Sequence, residues 1–187
     1  MTIQEYLSAL EGKRVAVVGI GVSNTPLIKM LLRAGVKVLA CQADGGVEEQ
    51  VAAVVKQAAD TFGRIDVLIN NAQASASGVP LADHTTEQFN LALYSGLYAT
   101  FYYMKACYPY LKETKGAVIN FASGAGLFGN FGQCAYAAAK EGIRGLTRVA
   151  ATEWGRDHIN VNIVCPLAWT AQLENFKNAY PDAFEKN

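Results

Sequence analysis

Short runs rich in β-branched residues alternate with longer stretches of helical period along this chain, which leaves few architectures open. Residues 14–18 form the first such run, stopped by Gly19. Thr25-Pro26 reads as a helix start, with Thr25 as cap and Pro26 in the first helical position, and the helix continues over 27–34 to Gly35. A second strand is expected at 36–41. Val47, Val51, Val54, Val55, Ala58 and Phe62 then share one helical face. A third strand follows at 65–69. Thr85 and Gln88 make a capping box that opens a long helix to about Leu111. Residues 117–121 read as the fourth strand, 134–154 as a helix and 159–164 as the fifth strand.

Strands alternating with helices of this length imply a parallel sheet covered on both faces, with right-handed crossovers. The expected fold is α/β, a Rossmann-like doubly wound sheet of about five strands in one domain spanning residues 1–187. Ligands of such sheets sit beyond the carboxyl ends of the strands, so functional residues are sought just after each strand. The composition agrees: 51% of the 187 residues are hydrophobic, which excludes a largely disordered chain. Lysine plus arginine balance aspartate plus glutamate at a net charge of +0, so neither nucleic acid nor an anionic membrane is an expected partner. Residues 116–139 carry no charge, but their asparagines and glycines suit a buried strand, a loop and a helix start better than a membrane span. Cys41, Cys107, Cys134 and Cys165 lack paired spacing, so no disulfide framework or zinc site is expected. Reduced thiols and an acidic N-terminus without a long apolar run point to a cytoplasmic protein. His84 and His158 are isolated, and no metal is expected.

The turn after the first strand, Gly19-Ile20-Gly21-Val22-Ser23-Asn24, has the makings of a phosphate cradle. Gly19, Gly21 and Ser23 are its candidate ligand contacts; a plain tight turn is the alternative. Asn24 stands where a dinucleotide fingerprint has its third glycine. No acid closes the second strand, where Cys41 and Gln42 sit. Ser123 directly follows the fourth strand. Tyr136 and Lys140 are one helical turn apart and share a face. An ammonium beside a phenol favours the phenolate, which suits acid–base work. Tyr94, Tyr98 and Tyr102 recur every fourth residue, as a core or subunit-contact stripe does.

These residues and their neighbours carry a family resemblance. Asn70-Asn71-Ala72, the run Ile119 to Ser123, Tyr136 and Lys140 with three alanines between them, and Ile159-Asn160-Val161-Asn162 resemble the short-chain dehydrogenase/reductase family over about residues 39–173. The resemblance implies a nicotinamide dinucleotide, NAD or NADP, and redox chemistry on a small-molecule alcohol/carbonyl pair. It implies that Tyr136 is the proton donor, that Ser123 holds the substrate oxygen, and that Lys140 binds the nicotinamide ribose and tunes Tyr136. Asn70, Ala72 and Asp44 are implied to line the cofactor cleft, and a homo-oligomer is implied. Four positions depart from the family pattern. Gly96 stands for a further catalytic asparagine, which makes Gly96→Asn a variant expected to gain activity. Gln73 stands for the glycine after Asn-Asn-Ala, Leu167 for the glycine after Pro166, and the Gly19 loop has altered spacing. The first 40 residues resemble the nucleotide-sugar domain of a Mur ligase of the D-glutamate-adding type, as if the chain were a composite joined near residues 40–45. A shortened reductase with strand order 2-1-3-4-5 accommodates these features. A catalytically impaired nucleotide-binding or scaffold protein, and UDP-sugar binding through the Gly19 loop, remain the alternatives.

Overall fold

The computed structural model describes residues 2–19, 24–166, 169 and 171–185. A short helix not expected from the pattern, α1 (Ile3–Ala9), opens the chain, capped by Thr2 and Glu5 in a reciprocal box. Then follow β1 (Arg14–Val18), α2 (Asn24–Arg33), β2 (Lys37–Cys41), α3 (Glu48–Phe62) and β3 (Val67–Asn70). A helix capped by Thr85 and Gln88 runs as α4 (Thr86–Ala92), widens into a π-turn at Leu93–Tyr98 and continues as α5 (Ala99–Thr114). β4 (Ala117–Phe121), α6 (Gly124–Phe128), α7 (Cys134–Trp154), β5 (Asn160–Val164), α8 (Ala171–Ala179) and α9 (Pro181–Glu185) complete it. The helix expected to start at Pro26 instead includes Asn24 and Thr25. Proline is tolerated there because the N–H groups of a first turn have no intrahelical partner.

The fold is the expected α/β arrangement with every strand pair parallel. β1 pairs with β2, and β3–β4–β5 form a second ladder. The expected order 2-1-3-4-5 needs β1 beside β3; among the described residues no ladder joins them, and the strands form two separate ladders. Side chains tie the first pair to α3: Arg14 Nη1 donates to the Phe62 carbonyl at 2.9 Å, and Cys41 Sγ lies 3.6 Å from Gln57 Oε1.

The main core gathers Val51, Val55, Met104, Cys107, Leu111, Val118, Ala150 and Ile159 between α3, α5, α7 and the β4 region. Val17, Leu31 and Val36 form a smaller cluster under β1 and β2. The sheet differs from expectation in its cover. Along β3 the residues alternate, Leu68 packing on the core while Val67 and Ile69 stay 52% and 59% exposed. β3 and β5 are covered by α5 and α7, respectively, on that inner face, whereas α2 rides on β2. Because the two ladders do not merge, the helix that travels with β2 leaves the outer face of β3 open.

Candidate active site

The carboxyl ends of β4 and β5 and the first turns of α7 meet at one place. α7 forms because Ala135, Ala139, Ile143, Thr147 and Ala150 make a buried stripe at helical spacing. That stripe fixes the rotation of the helix and so the direction of Tyr136 and Lys140. Lys140 is 4% exposed, its Nζ donates to the Phe121 carbonyl at 2.7 Å, and it lies 5.5 Å from the Tyr136 ring centroid. Burial pushes the Lys140 ammonium down to about 8, with the Cys165 thiol opposing the shift. An ammonium has three N–H donors, so Lys140 keeps capacity beyond Phe121.

Ser123 caps α6: its Oγ accepts the Ala125 N–H at 3.1 Å, which leaves its own O–H to donate. Arg144, buried and unremarked in the sequence, donates from Nη2 to the Ser123 carbonyl at 3.2 Å and lies 3.5 Å from Cys165 Sγ. Glu141 holds the same guanidinium through Nε, at 3.0 and 3.1 Å. The readable signal for Arg144 is its place one turn beyond Lys140. Among the described residues no hydrogen bond joins Ser123 to Tyr136, so the structure sets both at one strand edge without linking them directly.

Asn70 closes β3 with a structural task. Its Nδ2 donates to Asn120 Oδ1 at 2.8 Å, and the fully buried Asn120 donates to Thr147 Oγ1 at 2.9 Å. Asp44 is exposed and its Oδ1 accepts the Gly46 N–H at 2.9 Å. Ala72 is exposed. Gly19 adopts φ +80, and a Cβ there meets open space. Asn24 Nδ2 donates to the Gly19 carbonyl at 2.5 Å, closing the turn. Gly21, Ser23 and Leu167 lie outside the described residues.

Two of the four departures from the family pattern, Gly96 and Gln73, are neighbours. A Cβ on Gly96 would fall 2.6 Å from Gln73 Cδ and 2.8 Å from its Nε2. The Gln73 carboxamide thus fills the notch that Gly96 leaves in the π-turn, with Nε2 3.5 Å from the Ala92 carbonyl. An asparagine at 96 therefore requires the Gln73 carboxamide, the far end of a flexible side chain, to move aside. Ser95 Oγ pins the same loop by accepting the Ala74 N–H at 3.0 Å.

At the mouth, Gly78 donates its N–H to the Gly132 carbonyl at 2.8 Å. Tyr180 lies on Gly78, whose Cβ position is 2.5 Å from the ring. Near Trp169 an aromatic cluster of Trp169, Phe176, Tyr180 and Phe184 forms, with Lys177 over the Trp169 ring. Among the described residues no cluster of metal ligands occurs and no helix is long and apolar enough to cross a membrane. His84 departs from a simple surface histidine, both ring nitrogens being buried without a protein partner.

The arrangement fits a dinucleotide: open space at Gly19, exposed Asp44 and Ala72 at strand ends, and spare N–H groups on Lys140. Residues 6–180 match the family profile of short chain dehydrogenases. The 12alpha-hydroxysteroid dehydrogenase of a Clostridium species is 74% identical over 140 residues, covering 75% of this chain and 54% of its own length. The chain therefore spans about half of that relative. The crystal structure of levodione reductase superposes with a TM-score of 0.84 at 32% identity, covering 96% of this chain and 74% of that one. NAD+-bound xylitol dehydrogenase gives 0.76 at 28% identity, over 86% and 64%. With the profile running through both ladders and the lysine–tyrosine turn, the chain belongs to the short chain dehydrogenase family.

Proposed function

We propose that this chain interconverts a secondary alcohol and a ketone with NAD or NADP, and that its substrate class is a hydroxysteroid. The observation that carries the reading is the buried Lys140, held by the Phe121 carbonyl beside the Tyr136 ring. The 74% identity to a hydroxysteroid dehydrogenase and the aromatic cluster at the mouth support the substrate class. When bound, the dinucleotide supplies the hydride donor or acceptor. Ser123 donates its O–H to the substrate oxygen and stabilises charge developing there. Tyr136 gives or takes the proton at that same oxygen. Lys140 holds its charge against the phenol and offers its remaining N–H groups to ribose hydroxyls. Asn70, Ala72 and Asp44 line the cofactor side of the cleft, with Gly19, Gly21 and Ser23 at the phosphates. We further infer a homo-oligomer and a cytoplasmic setting. The test is NAD(P)H absorbance with 12-hydroxy and 12-keto steroids, and a small cyclic ketone as control. Turnover of the steroid alone supports the reading. Turnover of neither, with dinucleotide binding intact, favours the catalytically silent binding protein.

A further inference from the structure

α1, β1, α2 and β2 hold to one another more closely than to the rest of the chain. β1 and β2 run in register from Arg14↔Lys37 to Val18↔Cys41. Gly12 donates its N–H to the Gly35 carbonyl at 3.2 Å, Lys37 to the Lys13 carbonyl at 2.9 Å, and Gly19 to the Cys41 carbonyl at 3.0 Å. Among the described residues, the cluster of Val17, Leu31 and Val36 is packed by Leu10, Val15, Ile28, Ala34 and Val38, all of which precede the end of β2. The main core and the residues packed on it begin only at Val51. No ladder joins β1 to β3 among the described residues. The wall between the two parts is α3, which meets Arg14 through the Phe62 carbonyl at 2.9 Å and Cys41 Sγ through Gln57 Oε1 at 3.6 Å. The turn after β2 already belongs to the second part. There Asp44 donates its N–H to Gln50 Oε1 at 2.9 Å, and a Cβ on Gly45 would lie 3.1 Å from the Ala99 Cβ. The boundary therefore falls at Gln42–Ala43.

About 40 residues around two strands have little stability of their own, so such a part opens at a lower free energy than the core beside it. It also carries one side of the proposed cofactor cleft. Gly19, with open space at its Cβ position, lies in the first part, and Lys140, with donors left after Phe121, lies in the second. A ligand that touches both binds only while the first part is folded against α3, and so stabilises that state. We propose that α1, β1, α2 and β2 melt as one unit while the rest of the chain stays folded, and that a dinucleotide reaching from the Gly19 turn to Lys140 holds the unit in place. The second clause rests on the proposed function; the first stands on the two separate cores.

The test is amide hydrogen exchange followed by NMR on the full chain. Without ligand, β1 and β2 are expected to exchange at one common rate, at least about 10-fold faster than β4. Ile159→Val trims the main core, where Ile159 is buried. It is expected to speed β4 by about 3–10-fold and to leave β1 and β2 unchanged, because melting of the first unit does not expose residue 159. Equal rates in all three strands, or an Ile159→Val effect of equal size in all three, overturns the separate unit. NADH or NADPH at about 100 times its Kd is then added, and β1 and β2 are expected to slow by about 100-fold. The slowing is expected to reach Gly12 and Lys37, at the opposite end of the strands from Gly19. Slowing confined to Val18 and Gly19 overturns the clamp. A chain that binds neither dinucleotide in equilibrium dialysis overturns the proposed function and the clamp together, while the Ile159→Val pattern still supports the separate unit.

Discussion

Lys140 is where burial and chemistry oppose each other. Its folded value near 8 lies below the ordinary 10.5, so between those pH values the unfolded chain holds a proton that the folded chain has shed. Stability therefore bears the full cost of this group below pH 8 and rises with pH through that window. Lys140→Met is expected to raise the unfolding free energy at pH 7 by about 1–2 kcal/mol, because ~3 kcal/mol of relieved desolvation is offset by a Phe121 carbonyl left without its donor. Urea titrations at pH 7 and pH 10 check this; a gain at pH 10 as large as at pH 7 contradicts it. Under the proposed function, Tyr136→Phe is expected to lower alcohol–ketone turnover by at least about 100-fold while dinucleotide binding persists, and full turnover in that variant refutes the role proposed for Tyr136. Ser123, Tyr136 and Lys140 were legible because a strand end and a four-residue helical interval fix direction without tertiary knowledge. Gln73 and Gly96 each read only as an oddity, since a packing relation between a loop and a helix leaves no periodic trace.

Elements long enough to show a period were read closely. α7 falls at the expected 134–154, and β1 and β4 fall at the expected 14–18 and 117–121. The Thr85 and Gln88 box caps α4 as anticipated. Short pieces were missed: α1, α6 and α9 span seven, five and five residues, too few for a repeating apolar face. The π-turn was missed as well, because widening a helix by one residue per turn is dictated by packing at Gly96 rather than by local composition. One polar chain welds the elements, running from Asn70 on β3 through Asn120 on β4 to Thr147 on α7. Asn120→Ala leaves the half-buried Asn70 amide without its acceptor, while Thr147 keeps its bond to the Ile143 carbonyl, and about 1–3 kcal/mol of stability is expected to go; equilibrium unfolding measures it. Tyr94, Tyr98 and Phe101 present an exposed aromatic strip on the same helix, with Val149 of α7 also exposed. Phe101→Asp with Tyr98→Asp is expected to convert an oligomer into a monomer by light scattering. A monomeric wild-type chain at high concentration sinks that expectation.

On the scale of the molecule, alternation alone made the α/β class legible, and the structure agrees. Alternation also suggested the order 2-1-3-4-5, but it carries no record of which distant strands pair, and among the described residues β1 and β3 do not. The consequence is the open outer face of β3, with Val67 and Ile69 in solvent. A dye for apolar surface is expected to bind there, and Val67→Thr with Ile69→Thr to halve its fluorescence without altering dinucleotide affinity; unchanged fluorescence places the dye elsewhere. The mouth of the cleft carries a different consequence. Gly132, Gly78 and the Tyr180 ring are stacked with no side chain between them, and Gly78 holds φ +86. Backbone on one side and a flat ring on the other make a seam rather than a pocket wall. A seam has no knobs to unlock, so the C-terminal helices can peel from the loop by sliding the ring. A flat contact of that kind opens without any side chain leaving a pocket, so a single ring governs how firmly the C-terminal helices stay joined to the loop.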